Sequence, residues 1–69
     1  MKYEIIKQLG VLEGDPEGYR VEANIMSWDG RTPKLDIRKW RPDGKPASGL
    51  CLSEEGLQKL QEIIADVTL

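Results

Sequence analysis

Four stretches of the chain alternate apolar and polar residues. They are Tyr3–Leu12, Tyr19–Trp28, Lys34–Arg41 and Gly49–Leu52. Alternation with a period of two is typical of β-strands, whose successive side chains point to opposite faces of a sheet. Short connections without helical spacing join the four stretches. We therefore expect an antiparallel meander.

Clusters of glycine and proline separate these stretches. They cover residues 13–18, 29–33 and 42–49, and each cluster contains both residue types. Glycine supplies positive φ angles and proline presets φ at a turn, so the three clusters predict chain reversals. Gly10 lies inside the first stretch and predicts a bulge at which a long strand bends.

A segment with a different spacing begins at Ser53. Apolar residues stand at positions 57, 60, 63, 64 and 67, which predicts an amphipathic helix. The Ser53 hydroxyl can accept a hydrogen bond from the first turn, and Glu54 and Glu55 suit the positive end of the helix dipole. The predicted fold is α+β, with a four-stranded antiparallel sheet followed by one C-terminal helix, in a single domain spanning residues 1–69.

Alternation in the second and third strands divides their side chains between two faces. One face is apolar and carries Val21, Ala23, Ile25, Leu35 and Ile37. The other face carries Arg20, Glu22, Asn24, Met26, Trp28, Lys34, Asp36, Arg38 and Trp40. We expect the apolar face to pack against the helix and the mixed face to point outward.

The mixed face combines cations with tryptophans, which indicates a nucleic-acid-binding surface. Cations attract phosphates, and flat rings offer surfaces on which unpaired bases stack. RNA remains an alternative to DNA, because stacking alone does not detect the 2′-hydroxyl. Two further interpretations stay open: rings that cover an apolar patch between charges paired across strands, and a dimeric protein-interaction module whose tryptophans anchor a partner.

Size and charge bear on the partners of the chain. It has 69 residues, with ten Lys or Arg against twelve Asp or Glu. Residues 18–50 nevertheless hold seven basic and four acidic side chains, an asymmetry that suits a basic binding face. A chain this short buries only about 60% of its unfolded surface, and its single cysteine cannot form an internal disulfide. We therefore expect a homodimer.

The composition disfavours catalysis. The chain contains no histidine, so a zinc cluster would lack most of its ligands. Cys51 lies between Leu50 and Leu52 and is interpreted as a small sheet residue and not as a nucleophile. We expect a protein that is not an enzyme and has neither cofactor nor metal. Charged residues interrupt the apolar N-terminus, so we expect no membrane association and a cytoplasmic protein, nucleoid-associated if bacterial.

Three motifs in sequence order carry a family resemblance. The run Leu35-Asp36-Ile37-Arg38-Lys39-Trp40 precedes the turn Pro42-Asp43-Gly44-Lys45-Pro46, and Gly49-Leu50-Cys51-Leu52-Ser53 leads into the helix. This arrangement resembles the single-stranded-DNA-binding core of the positive cofactor four family of transcriptional coactivators, and most closely its small bacterial YdbC-type branch. The resemblance covers nearly the whole chain, including Tyr3-Glu4-Ile5-Ile6 and Ser27-Trp28-Asp29.

The resemblance implies a strongly curved sheet and a homodimer that presents channels for single strands or melted DNA. The expected function is binding of unpaired DNA with little sequence specificity, in transcription regulation or DNA maintenance, with the transcription machinery as a further partner. The resemblance and the composition of the mixed face together give the candidate nucleic-acid-binding residues. They are Arg20, Asn24, Trp28, Lys34, Arg38, Trp40, Arg41 and Lys45. The candidate dimer interface consists of Leu57, Leu60, Ile63, Ile64 and Val67.

Some positions depart from the family pattern. Ala47 and Ser48 stand where coactivator members carry a basic pair, and Met26 stands at a position that is basic in them. Members with two adjacent aromatics have a ring where this chain has Arg41. We therefore expect weaker or more salt-sensitive binding than in those members.

Overall fold

A computed structural model describes residues 2–69. The elements are β1 (Tyr3–Gly14), β2 (Arg20–Trp28), β3 (Lys34–Trp40), β4 (Pro46–Leu52) and α1 (Glu54–Ile64). The strands form one antiparallel sheet in the order β1-β2-β3-β4, which confirms the predicted meander and helix. The fourth strand begins at Pro46 and not at Gly49, because proline is tolerated as the first residue of a strand at the sheet edge.

Strand β1 contains three irregularities in its pairing with β2. They lie between residues 5 and 7, 8 and 10, and 11 and 13. From Ile5 to Gly14, three residues of β1 therefore correspond to every two residues of β2. The predicted bulge at Gly10 is confirmed as the second irregularity. Each bulge bends the strand and increases its twist, so three in succession give β1 a pronounced coil.

The sheet is strongly curved. Tyr3 pairs with Trp28 at one end of β2, whereas Trp40 pairs with Arg20 at the other end. A strand of this length spans about 26 Å at about 3.3 Å per residue. The ring centroids of Tyr3 and Trp40 are nevertheless only 5.8 Å apart. The face that carries these rings is therefore concave, and we call it the concave face.

The concave face is the mixed face of the sequence analysis, and it holds the most buried side chains of the described residues. Asn24 and Asp36 are 0% exposed, Met26 is 1% exposed and Trp40 is 3% exposed. The predicted division of side chains between two faces is confirmed. The expectation that this face points outward is wrong for these four side chains, because the curvature of the sheet brings the two ends of the face together.

Helix α1 packs on the opposite, convex face. Leu57 lines a depression of about 200 Å³ together with Ile25, Leu35 and Leu52. The predicted cap is confirmed, since the Ser53 hydroxyl accepts a hydrogen bond from the backbone N–H of Gly56 at 3.3 Å. No residue of α1 is fully buried, so the helix leaves apolar surface uncovered. Within residues 2–69, no helix has the length and apolar character needed to cross a membrane.

Candidate nucleic-acid interface

Asp36 lies at the centre of the concave face and accepts four hydrogen bonds. Arg38 donates from Nε at 2.6 Å and from Nη2 at 2.7 Å, Trp28 donates from Nε1 at 3.0 Å, and the Cys51 thiol donates at 3.2 Å. Burial raises the pKa of the Asp36 carboxyl, but the hydrogen bonds from Arg38, Cys51 and Trp28 outweigh it and leave the pKa below its ordinary value. Asp36 is therefore a buried anion whose hydrogen bonds hold the side chains of Arg38, Trp28 and Cys51 in place.

The Arg38 guanidinium is held from several sides. Besides its forked pair with Asp36, its Nη1 donates to the carbonyl oxygen of Ala47 at 3.0 Å. The guanidinium carbon lies 4.4 Å from the centroid of the Trp28 ring, within the range of a cation–π contact. The hydrogen bonds with Asp36 raise the pKa of Arg38. Its charge is thus permanent, fixed in place and balanced inside the protein.

Trp28 is half-buried at the end of β2 and is fixed in orientation. Its ring N–H is tied to Asp36, Arg38 lies over its ring, and the Tyr3 ring packs against it at a centroid distance of 5.1 Å with a tilt of 43°. An aromatic ring that is held this way loses little conformational freedom when a flat ligand contacts it. The position of the Trp28 ring is therefore set before any ligand binds.

The turn after Trp28 positions a further cation, Arg31. Asp29 and Gly30 both have positive φ angles, 52° and 73°, and the Arg31 N–H donates to the Trp28 carbonyl at 3.0 Å. These features are those of a type I′ turn. The Ser27 hydroxyl also donates to the Arg31 carbonyl at 2.5 Å. The backbone of Arg31 is thus fixed beside Trp28.

The predicted cations differ in whether their charges are already paired. Arg20 pairs with Glu22, and Arg41 pairs with the exposed Asp43 at 3.4 Å. Lys34 and Lys45 are exposed and, like Arg31, have no carboxylate within ion-pair distance among residues 2–69. Unpaired cations are the ones whose charge is available to an anionic ligand.

Asn24 and Trp40 are core residues of the single chain. The Asn24 amide donates to Glu22 at 3.3 Å, and the Trp40 ring packs edge-on against Tyr3. The expectation of an exposed Trp40 ring is wrong, because the curvature places it inside the concave face. Asn24 Oδ1 and Trp40 Nε1 have no hydrogen-bond partner among residues 2–69. A direct contact of either residue with nucleic acid stays a prediction.

The Cys51 thiol is not activated. Burial and the neighbouring Asp36 carboxylate raise its pKa, although Arg38 acts in the opposite direction. The thiolate is the reactive form of cysteine, so a raised pKa makes Cys51 a poor nucleophile near neutral pH. Among residues 2–69, no group of histidine, cysteine and carboxylate side chains could hold a metal ion.

Two depressions adjoin the Trp28 and Arg38 side chains. The first, of about 400 Å³, is lined by Met26, Trp28, Arg31, Thr32, Lys34, Arg38 and Cys51. The second, of about 410 Å³, is lined by Tyr3, Trp28, Arg38, Lys45, Pro46 and Ala47. The structure thus brings together Trp28, Lys34, Arg38 and Lys45 of the predicted set. Sequence reasoning missed Arg31, although an Asp-Gly turn signal beside Trp28 was available to find it, and missed Tyr3, whose placement depends on the bulges in β1.

The predicted dimer residues fall into two groups. Leu57 and Leu60 are half-buried within the chain itself. Ile63, Ile64 and Val67 are 73%, 51% and 58% exposed, respectively. The second group is therefore available for contact with a partner.

The fold and the site define a small α+β domain whose curved sheet carries an aromatic and cationic cluster at its concave face. No family model matches the chain. A protein of Treponema pallidum (strain Nichols), described as an "Uncharacterized protein", is 32% identical to the chain over 68 residues, which cover 97% of the chain and 80% of that protein. The chain belongs to the same family as this Treponema protein.

Proposed function

We propose that this protein binds single-stranded DNA at the concave face, with little sequence specificity, and acts where DNA is unpaired, in transcription regulation or DNA maintenance. The observation that carries the proposal is the pair of depressions around Trp28, each of which combines an aromatic ring with at least one unpaired cation. The resemblance to the positive cofactor four family supports the same function.

The chemistry of the depressions favours unpaired over paired DNA. Stacking of a base on an aromatic side chain contributes about 1–3 kcal/mol, and it requires a base that is free of its duplex partner. Reading of duplex sequence commonly uses a helix in the major groove, whereas α1 lies on the convex face. The role proposed is binding and not catalysis, in keeping with the raised pKa of Cys51.

We further propose that the functional unit is a homodimer. Ile63 and Ile64 at the end of α1, and Val67 three residues beyond it and outside the helix predicted to include it, expose apolar side chains. A 69-residue chain gains stability by covering such surface. A dimer would present two concave faces to two strands of melted DNA. Sedimentation equilibrium should give twice the chain mass of 7.8 kDa. A monomer at tens of micromolar, on the order of a weak dimer's dissociation constant, would contradict this.

A fluorescence anisotropy titration tests the DNA proposal. The probes are a labelled thymidine oligonucleotide, a duplex of the same length and the matching uridine oligonucleotide, each at two salt concentrations. We expect the single-stranded DNA to bind at least about tenfold more tightly than the duplex, equivalent to about 1.4 kcal/mol. Equal affinity for the two would contradict the proposal. Binding that does not weaken as the salt concentration rises would also contradict it, because no phosphate would then be contacted.

A matched pair of variants assigns the binding to Trp28. Trp28→Ala should weaken single-strand binding by about 1–3 kcal/mol. Tyr19→Ala removes another ring, 72% exposed and outside both depressions, and should leave the affinity unchanged. A cooperative thermal melt of each variant shows that it is folded. Equal affinity of the two folded variants would remove Trp28 from the binding surface.

A further inference from the structure

We propose that the Trp28–Arg38 pair is a partition between two nucleotide subsites, in which Arg31 binds a phosphate and Tyr3 stacks on a base. This inference rests on the proposed binding of single-stranded DNA. It adds two residues that the candidate set did not contain, and it gives Arg38 a different role from that of the other cations.

The partition follows from the side chains that the two depressions share. Trp28 and Arg38 line both of them, so the stacked pair forms the wall between the two spaces. Asp36 hydrogen-bonds to both members and holds the wall in place. The volumes, about 400 and 410 Å³, are nearly equal and fall within the range of about 300–1,000 Å³ typical of small-ligand pockets.

The first subsite contains two unpaired cations. Arg31 and Lys34 line it, and neither has a carboxylate within ion-pair distance among residues 2–69. The backbone of Arg31 is fixed by the type I′ turn and by the hydrogen bond from Ser27, so the position of its Cα atom beside the subsite is defined. A guanidinium binds phosphate through charge-assisted, often forked, hydrogen bonds. Arg31 is therefore the residue of this subsite best suited to a phosphate.

The second subsite offers a further ring. Tyr3 is 39% exposed and lies against Trp28 with a tilt of 43°, so that its ring faces a different direction from that of Trp28. Lys45 lines the same space, and its backbone is fixed by hydrogen bonds to the Asp43 side chain and to the Arg41 N–H. A nucleotide in this subsite would stack its base on the Tyr3 ring and direct its phosphate toward the Lys45 ammonium group.

Arg38 acts as a positioning residue between the two subsites. Its three guanidinium nitrogens already donate to Asp36, Ala47 and the Cys51 sulfur, and its charge is balanced by Asp36. A side chain committed in this way contributes little net attraction to a phosphate. Its stacking against Trp28 instead sets the direction in which that ring faces.

Salt-dependent titration of the thymidine oligonucleotide with variants separates these roles. Arg31→Ala should flatten the plot of log affinity against log salt by about 0.7 units, the value for one phosphate contact on a single strand. Lys39→Ala is the matched control, because Lys39 is an exposed cation of β3 that lines neither depression, and it should leave the slope unchanged. Tyr3→Leu should lower the affinity by about 5- to 150-fold, equivalent to about 1–3 kcal/mol, without changing the slope.

Arg38→Lys distinguishes positioning from phosphate contact. Lysine keeps the charge but cannot form the forked pair with Asp36. We expect this variant to bind as weakly as Arg38→Met, with the wild-type salt slope in both. Because both variants weaken a buried ion pair, affinities are compared at a temperature at which the thermal melt of each variant shows that it is folded. If Arg38→Lys restores binding, Arg38 is a phosphate contact and the partition is wrong.

The outcomes also separate this inference from the proposed function. If the wild-type protein does not bind single-stranded DNA, both fail. If it binds, but Arg31→Ala has the same slope as Lys39→Ala, only the subsites are overturned. Tyr3 also packs against Trp40, so Tyr3→Leu is interpreted only where its thermal melt remains cooperative; otherwise the Arg31 and Arg38 variants decide.

Discussion

Replacing Asp36 with asparagine should destabilise the fold severely, although the two side chains have nearly the same shape. Asp36 is 0% exposed, and the Arg38 side chain with which it pairs is 13% exposed. The amide removes the negative charge and puts an N–H₂ donor where a carboxylate oxygen accepted hydrogen bonds. The Arg38 guanidinium then remains in the interior without its counter-charge.

The expected loss is about 3 kcal/mol. Removal of one member of a buried ion pair costs about 3–5 kcal/mol. The lower value applies here, because Arg38 keeps its hydrogen bond to Ala47 and a little solvent contact. A chain of 69 residues has a stability of about 3–10 kcal/mol at about 0.05–0.15 kcal/mol per residue. The substitution thus removes about 30% or more of the total.

Urea unfolding followed by far-ultraviolet circular dichroism measures this loss, with the protein concentration held constant so that association does not alter the comparison. At an m-value of about 1 kcal/mol/M, the midpoint should fall by about 3 M urea. The double variant Asp36→Asn with Arg38→Met should recover part of the loss, because no unpaired charge is left inside. A loss below about 1 kcal/mol, or no recovery in the double variant, would refute the reasoning.

Acid titration provides an independent check on Asp36. Its pKa is lower in the folded protein than in the unfolded chain, so folding favours the charged form. The stabilisation is complete above the unfolded value of about 3.9 and is lost as the pH falls through the folded pKa. The wild-type protein should therefore lose more stability below about pH 4 than Asp36→Asn does. Parallel acid profiles of the two proteins would contradict this.

Three further results are expected. The plot of log affinity against log salt for the wild-type protein should have a slope of about −2 per chain, because the two subsites contain three unpaired cations at about 0.7 each. The measurement is a titration over several salt concentrations, and a slope near zero would contradict this. Gly49→Ala should destabilise the fold by about 1–3 kcal/mol and lower the melting temperature, because a Cβ atom there meets the Cβ of Arg38. Gly56→Ala should stabilise the fold by up to about 1 kcal/mol through helix propensity and raise the melting temperature. Cys51 should react with iodoacetamide more slowly than a free cysteine at the same pH, and Asp36→Asn should speed that reaction.

The strand order and the helix could be predicted from the sequence because both depend on local patterns. Period-two alternation between Gly- and Pro-rich turns defines β2 and β3, and Ser53 followed by two acidic residues defines the start of α1. The alternation also assigned Asp36 and Arg38 to one face correctly. These features require only neighbouring residues, so no knowledge of tertiary structure is needed.

Burial on the concave face could not be predicted in the same way. Periodicity states which side chains share a face, but the curvature decides whether that face is open or closed. The curvature is associated with three bulges in β1, of which only the one at Gly10 had a sequence signal. Without the other two, Trp40 is expected to be exposed and Tyr3 is expected to lie far from it. The hydrogen bond from Trp28 to Asp36 depends on the same curvature, because the residue of β2 that pairs with Asp36 is Asn24, four residues before Trp28.

The bulges of β1 also have a consequence for unwanted association. A long strand at the margin of a sheet offers a row of free N–H and C=O groups to which strands of other chains can add, and this is a common start of aggregation. β1 has 12 residues and would be such a template if it were straight. Because of the three bulges, the free N–H and C=O groups of β1 do not have the regular spacing that an added strand needs for pairing. Growth of the sheet by an added strand is therefore disfavoured at β1, and β4, with seven residues, is the side at which such growth should occur.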